Sequence, residues 1–219
     1  MNLPVIGLPV IGLLGGTFNP IHNGHLYLAE TLLNGFEMQE IRFIPSAQPP
    51  LKVQPEVSAE HRAEMVKLAI GHNPKFKLDL RELQRNQKSY TIDSLIELRK
   101  ELGNSVSLCW ILGSDAFASI EQWHRWQELL DYCHLIVITR HIENGKHAII
   151  NTPKSWVNKI ALQKQRLQTT PHGAIFQQEI NAPIISSTQL REKLKQQKTV
   201  ADLTPKVVVN YITQHQLYQ

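Results

Sequence analysis

Cysteine is scarce in this chain of 219 residues, with Cys109 and Cys133 the only two. Each lies in an apolar run, CWILG and CHLIVI, where a reduced, buried thiol is expected rather than a disulfide or a metal pair, and this favours the cytoplasm. Long apolar stretches are also lacking. No run reaches about 18 residues, and the N-terminus has neither the basic segment nor the small-residue cleavage site of a secretory signal, so no membrane partner is expected. The two commonest nucleotide fingerprints, G-x-G-x-x-G and G-x-x-x-x-G-K-[ST], do not occur. Charge is not gathered either: the formal net charge is +4, and the densest basic patch is only REKLKQQK, Arg191 to Lys198. A nucleic-acid partner is therefore not expected, and a small phosphate-bearing ligand accounts for the excess equally well.

What is present is a globular composition, 42% hydrophobic and 19% charged, on a length that suits one domain. The pentapeptide LPVIG occurs twice, as Leu3–Gly7 and Leu8–Gly12, and only the second copy leads into an apolar run. Residues 1–8 are thus read as an extension and 9–219 as a single domain. Apolar strand patterns (PVIGLL, IRFIP, FKLDLREL, SVSLCWILG, CHLIVITR, GAIFQQEI) alternate with amphipathic helical ones. HLYLAETLLNGF spaces Leu26, Ala29, Leu32 and Leu33 on one face, Ser58 caps a helix that ends before Gly71, and Thr91 is placed as the N-cap of TIDSLIELRKEL. The alternation predicts an α/β fold, a doubly wound parallel sheet with helices on both faces and its ligand at the carboxyl ends of the strands.

The stretch GGTFNPIHNGH raises the chemical question. A strand left through Gly15-Gly16 lets backbone approach a ligand, and the following helix N-terminus offers N–H groups to an anion. His22 and His25, three apart and expected at an exposed junction, can face the same phosphoryl group, which would favour their protonated form. Two ordinary polar residues at a helix start would look alike. So would two zinc ligands, although no H-E-x-x-H, neighbouring cysteine or third ligand accompanies them. Far downstream, Ser186, Ser187 and Thr188 fall at the start of a helix running to Lys195, where simple capping is the plain alternative.

GGTFNPIHNGH resembles the T/H-x-G-H motif of the nucleotidyltransferase superfamily, and ISSTQLR (Ile185 to Arg191) resembles its second motif, I-S-S-T-x-[IL]-R. PSAQPPLK, HRAEMVKLAI, ELQRNQKSYTIDSL, WILGSDAF, QWHRWQELLDYCHLIVITR and VVVNYITQHQLY extend the likeness along nearly the whole chain, to the bacterial nicotinate-nucleotide adenylyltransferases. The resemblance implies a Rossmann-like fold and direct in-line transfer of the adenylyl group of ATP to nicotinate mononucleotide. Mg2+ would come with the ATP, and no protein side chain would ligate metal.

The resemblance assigns His22, His25 and Arg191 to catalysis, with Arg191 gripping the departing phosphates bidentately. ATP contacts fall to Gly15, Gly16, Thr17, Phe18, His22, Gly24, His25, Ile185, Ser186, Ser187, Thr188 and Arg191. Mononucleotide contacts fall to Lys52, Tyr90, Thr91, Gly113, Asp115, Trp123 and Arg140, with Trp123 stacked on the ring. Trp126 reads as a core aromatic, and His61, His124 and His172 as surface residues. Two positions depart from the family pattern: Asn19, where Asp is commonest, and Leu51, where P-P-H-[KR] has His. A sister adenylyl- or cytidylyltransferase, or a non-catalytic nucleotide sensor, carries the same motifs; the oligomeric state is not set by the sequence.

Overall fold

The apolar run near the N-terminus forms strand β1 (Val10–Gly16), which ends at the glycine pair. Then follow α1 (Asn23–Gly35), β2 (Glu40–Pro45), α2 (Ala59–Ile70), β3 (Phe76–Leu78), α3 (Arg81–Gln84), α4 (Thr91–Leu102), β4 (Ser107–Gly113) and α5 (Ser114–Ala118). The chain continues through α6 (Leu129–Tyr132), β5 (His134–Arg140), α7 (Arg166–Thr169), β6 (Ile175–Ile180), α8 (Ser187–Lys195) and α9 (Lys206–Gln214). The computed structural model describes residues 7–51, 53–85, 87–140, 151–181 and 185–219, without the side chain of Arg140.

All described strand pairings are parallel, in the order β3-β2-β1-β4-β5-β6. The order reverses between β1 and β4, so a crevice opens beyond their carboxyl ends. This is the expected doubly wound, Rossmann-like sheet. Its strand residues sort onto the two faces with a period of two. Val10, Leu14, Cys109, Ile111, Ile136 and Ile138 join one core, with Ala29, Leu32 and Leu33 of α1, Met65 and Val66 of α2 and Val208 and Ile212 of α9. Ile11, Leu13, Leu108, Trp110, Leu135 and Val137 join the other, with Ile92, Leu95 and Leu98 of α4 and Leu129 and Leu130 of α6.

Two local expectations are corrected. FKLDLREL is a strand only over Phe76–Leu78, because Asp79 Oδ1 accepts from the Arg81 N–H at 3.1 Å and from Arg81 Nε at 2.9 Å, which turns the chain into α3. Thr91 is not the N-cap of α4: Tyr90 keeps the extended backbone (φ −86, ψ 128) and Thr91 is the first helical residue, with no side chain capping the end. At the opposite edge of the sheet the Arg99 guanidinium donates to the carbonyls of Val106, Tyr132 and Pro171 at 3.0, 2.7 and 2.7 Å, tying together segments that lead into β4, β5 and β6.

Candidate active site

Gly15 and Gly16 stand where β1 meets the crevice. An added Cβ at Gly15 would fall inside the indole of Trp110, and one at Gly16 would meet the Phe18 ring at 3.1 Å. Gly15 is thus required by the aromatic packed on it as well as by any ligand, and Gly16 is tightly covered by another. Phe18 takes a left-handed backbone (φ 46), rare for a bulky residue, and this sends its ring into the core, where it is 3% exposed. Its ring is thereby turned away from a ligand, and a contact of Phe18 with ATP would fall to its backbone.

The chain then enters α1 through His22, whose backbone is extended (φ −147, ψ 168) as an N-cap requires. The His22 N–H donates to Nδ1 of His25 at 3.2 Å, and the two rings stack with centroids 3.7 Å apart. An Nδ1 that accepts leaves the imidazole proton on Nε2, so in this arrangement His25 offers Nε2–H as a donor. His22 is buried, 6% exposed, and not at an exposed junction.

The second motif meets this loop directly. Ser187 Oγ donates to the Pro20 carbonyl at 3.0 Å, and Arg191 Nη1 donates to the Asn19 carbonyl at 2.8 Å. Four residues apart on α8, they share the face that the loop touches. Arg62 Nη1 holds the Thr17 carbonyl at 2.6 Å, and Thr204 Oγ1 holds that of Ile21 at 2.8 Å. Four loop carbonyls are thereby bound by side chains, and the N-termini of α1 and α8 lie on the same loop. This is favourable ground for an anion. Ser186 is the N-cap of α8, its Oγ accepting from the Gln189 N–H at 3.1 Å. Arg191 Nη2 also reaches Thr188 Oγ1 at 3.3 Å. Arg191 thus braces one motif against the other.

Beside the loop, at the carboxyl ends of β1 and β4, lies a cavity of about 640 Å³. Gly15, Gly16, Thr17 and Gly113 form its sheet edge, Pro49, Pro50 and Leu51 one wall, and Tyr90, Thr91, Asp115, Trp123 and His124 the other. The uncapped N-terminus of α4 opens into it. Ser89 joins the two walls: its Oγ accepts from the Ala47 and Gln48 N–H groups at 2.9 and 3.2 Å, and its own N–H donates to the Gln48 carbonyl at 3.0 Å. Glu82 also lines the cavity; burial pushes its carboxyl up from the usual range, against hydrogen bonds from Ser89 and Ser94.

The structure thus brings together two groups. Gly15, Gly16, Thr17, Tyr90, Thr91, Gly113, Asp115 and Trp123 line the cavity. His22, Gly24, His25 and Ser186 through Arg191 gather around the adjoining loop, with Ile185 just before it. Lys52 and the Arg140 side chain lie outside the described residues. Trp126 packs edge-on against Trp156 at 4.8 Å, as a core aromatic should. His124 is exposed, as expected, yet it lines the cavity and packs on Tyr90 at 4.4 Å. Sequence reasoning missed Arg62 and Ser89. The first is 1% exposed and donates to Val57, Thr17 and Ala47 carbonyls, so it pins the phosphate loop to the proline-rich wall. An arginine inside an amphipathic helix reads as solvated, and no local signal marks it.

A family model described as Cytidylyltransferase-like matches residues 13–193. A protein of Yersinia enterocolitica named "Probable nicotinate-nucleotide adenylyltransferase" is 41% identical over 210 residues, 94% of each chain. One of the same name from Marinomonas is 39% identical over 216 residues, 97% of each. The solved structure of Plasmodium falciparum nicotinic acid mononucleotide adenylyltransferase complexed with NaAD superposes with a TM-score of 0.69 at 21% identity, covering 96% of this chain and 97% of that one. The chain belongs to the cytidylyltransferase-like family and, within it, to the nicotinate-nucleotide adenylyltransferases.

Proposed function

We propose that residues 9–219 act as one unit that transfers the adenylyl group of ATP to nicotinate mononucleotide, giving the deamido dinucleotide and pyrophosphate. One observation carries the reading: two motifs about 160 residues apart close on a single loop, at the mouth of a cavity large enough for the second nucleotide. The loop side takes the triphosphate, with His25 donating through Nε2 and the N-termini of α1 and α8 facing the anion. The cavity takes the mononucleotide. The uncapped start of α4 at Tyr90 and Thr91 suits the ring carboxylate, and Trp123 suits the ring face. The acceptor phosphate then attacks the α-phosphorus in line as pyrophosphate departs, so the protein supplies position and charge rather than a nucleophile.

A divalent cation, Mg2+ in this reading, would arrive on the ATP phosphates and offset the repulsion between the two anions. Among the described residues no group of three or more carboxylate, imidazole or thiol ligands could hold one. The cytoplasm is the compartment proposed. Cys109 and Cys133 are both free and buried, the Cys109 thiol pushed up to about 12, and no helix among the described residues is long and apolar enough to cross a membrane.

The test is pyrophosphate release from ATP with nicotinate mononucleotide, nicotinamide mononucleotide or phosphopantetheine as acceptor, and with CTP replacing ATP. Turnover confined to ATP with the nicotinate form is expected. Equal use of the nicotinamide form would overturn the selectivity, and ATP binding with no pyrophosphate from any acceptor would make the chain a sensor.

A further inference from the structure

Asn19 lies midway between the glycine pair and His22, and its side chain is engaged from the far end of the chain. The Tyr218 hydroxyl donates to Asn19 Oδ1 at 2.7 Å, across 199 positions of sequence. We propose that Tyr218 is a positioning residue for adenylyl transfer, acting through Asn19 on the loop that holds the triphosphate. The inference rests on the function proposed above.

Tyr218 follows α9 in a turn whose backbone is left-handed at both Gln216 (φ 52) and Tyr218 (φ 64). Side-chain-bearing residues hold that conformation only where their surroundings compensate for it. Here it accompanies a ring turned inward, 5% exposed, in the core shared by α1, α2 and α9. A phenylalanine would fill that space equally well, so the hydroxyl requires its own explanation. It lies in the field of the guanidinium groups of Arg62 and Arg191, the two that hold the Thr17 and Asn19 carbonyls. Burial pushes the phenol far up despite those cations, so it keeps its proton and stays a donor.

Asn19 is consequently held at two atoms, its carbonyl by Arg191 and its Oδ1 by Tyr218. With both fixed, the loop cannot rotate about this residue without breaking a partly buried hydrogen bond. Tyr218 does not line the cavity proposed for the mononucleotide, and Asn19 is the loop residue to which its hydroxyl is bonded.

The experiment is a double-mutant cycle on the full chain: Y218F in the native, N19A and N19D backgrounds. The readouts are calorimetric affinity for a non-hydrolysable ATP analogue, KM for ATP and for nicotinate mononucleotide, and the melting temperature. In the native background Y218F should weaken analogue binding and raise the KM for ATP about tenfold, leaving the KM for the mononucleotide unmoved. The loss should persist in N19D, which keeps an acceptor, and vanish in N19A, which does not. Equal losses in all three backgrounds, or a lower melting temperature with unchanged analogue affinity, would overturn the proposal. If Y218F proves too unstable to assay, N19A against N19D decides: equal analogue affinity in the two overturns it as well. Analogue binding needs no acceptor, so failure to use nicotinate mononucleotide would count against the proposed function and leave this test standing.

Discussion

The His22 N–H and the Nδ1 of His25 lie 3.2 Å apart in a donor–acceptor pair, so one imidazole closes the start of α1 through Nδ1 and keeps Nε2 for another partner. Substitutions can separate the two tasks. His25→Asn keeps an acceptor near the Nδ1 position and has nothing at Nε2, whereas His25→Ala removes both. H25N should unfold in urea close to the native protein while turnover falls about 10²–10³-fold, the loss typical of one removed transition-state donor. H25A should lose the same turnover and about 1 kcal/mol of stability besides, as for a lost helix cap. Native turnover in H25N would mean that Nε2 does not act on the substrate.

Gly15 and Trp110 make a second such pair, since a Cβ on the glycine would enter the indole. Trp110 is 4% exposed. Gly15→Ala should therefore cost about 1–3 kcal/mol as an overpacked core does, and the smaller ring of Trp110→Phe should recover part of it in the double variant. Were Gly15 needed only for close approach of a ligand, G15A would unfold like the native chain and fail solely in ATP binding. Denaturant unfolding of the four proteins distinguishes the two.

That glycine marks how far the sequence could be read. Its role at the end of β1 followed from local pattern, as did α1, whose inward residues Ala29, Leu32 and Leu33 repeat at helical spacing. The pairing of the two motifs was legible through their resemblance to a family pattern, since neither motif by itself points to the other. What escaped is what depends on contacts between distant segments. Arg62 reads as one more charge on an amphipathic helix until three carbonyls from Thr17, Ala47 and Val57 surround it. Phe18 reads as part of a loop until its left-handed backbone turns it inward. Thr91 carries a capping side chain, yet it is the first helical residue and Tyr90 the N-cap, because the backbone turns there. Local propensity sets which elements form; the three-dimensional environment sets which of their polar atoms remain for chemistry.

Trp123 lines the cavity opposite the proline-rich wall and is only partly buried, so its substitution should act on binding more than on folding. Trp123→Ala should raise the KM for the mononucleotide about tenfold and leave analogue affinity unchanged, in keeping with a lost aromatic stack. Trp123→Phe should restore most of the loss. A matching fall in affinity for the ATP analogue would place the indole on the wrong nucleotide.

His134 lets the pH dependence of folding be worked out. At the start of β5 its Nε2 meets the Thr170 carbonyl at 2.8 Å, and its Nδ1 accepts from the Ala174 N–H at 3.1 Å. This pair of partners admits only the neutral ring, protonated on Nε2. Burial pushes the imidazole down from 6.5 to about 4. A base depressed in the fold takes up its proton first in the unfolded chain, so its contribution is complete above pH 6.5 and drains away as the pH falls toward 4. The difference corresponds to about 3 kcal/mol. His134→Gln retains at best one of the two hydrogen bonds and has nothing to titrate. At pH 7.5 it should be less stable than the native protein by about 1–3 kcal/mol, the cost of an unsatisfied buried group. As the pH is lowered through 6.5 toward 4 the gap in urea unfolding free energy should close and then reverse, because only the native chain loses stability from this site. Carboxylates titrating over the same interval are common to both proteins and cancel in the difference. A gap that stays constant across that interval would show that the buried imidazole becomes charged in the folded state.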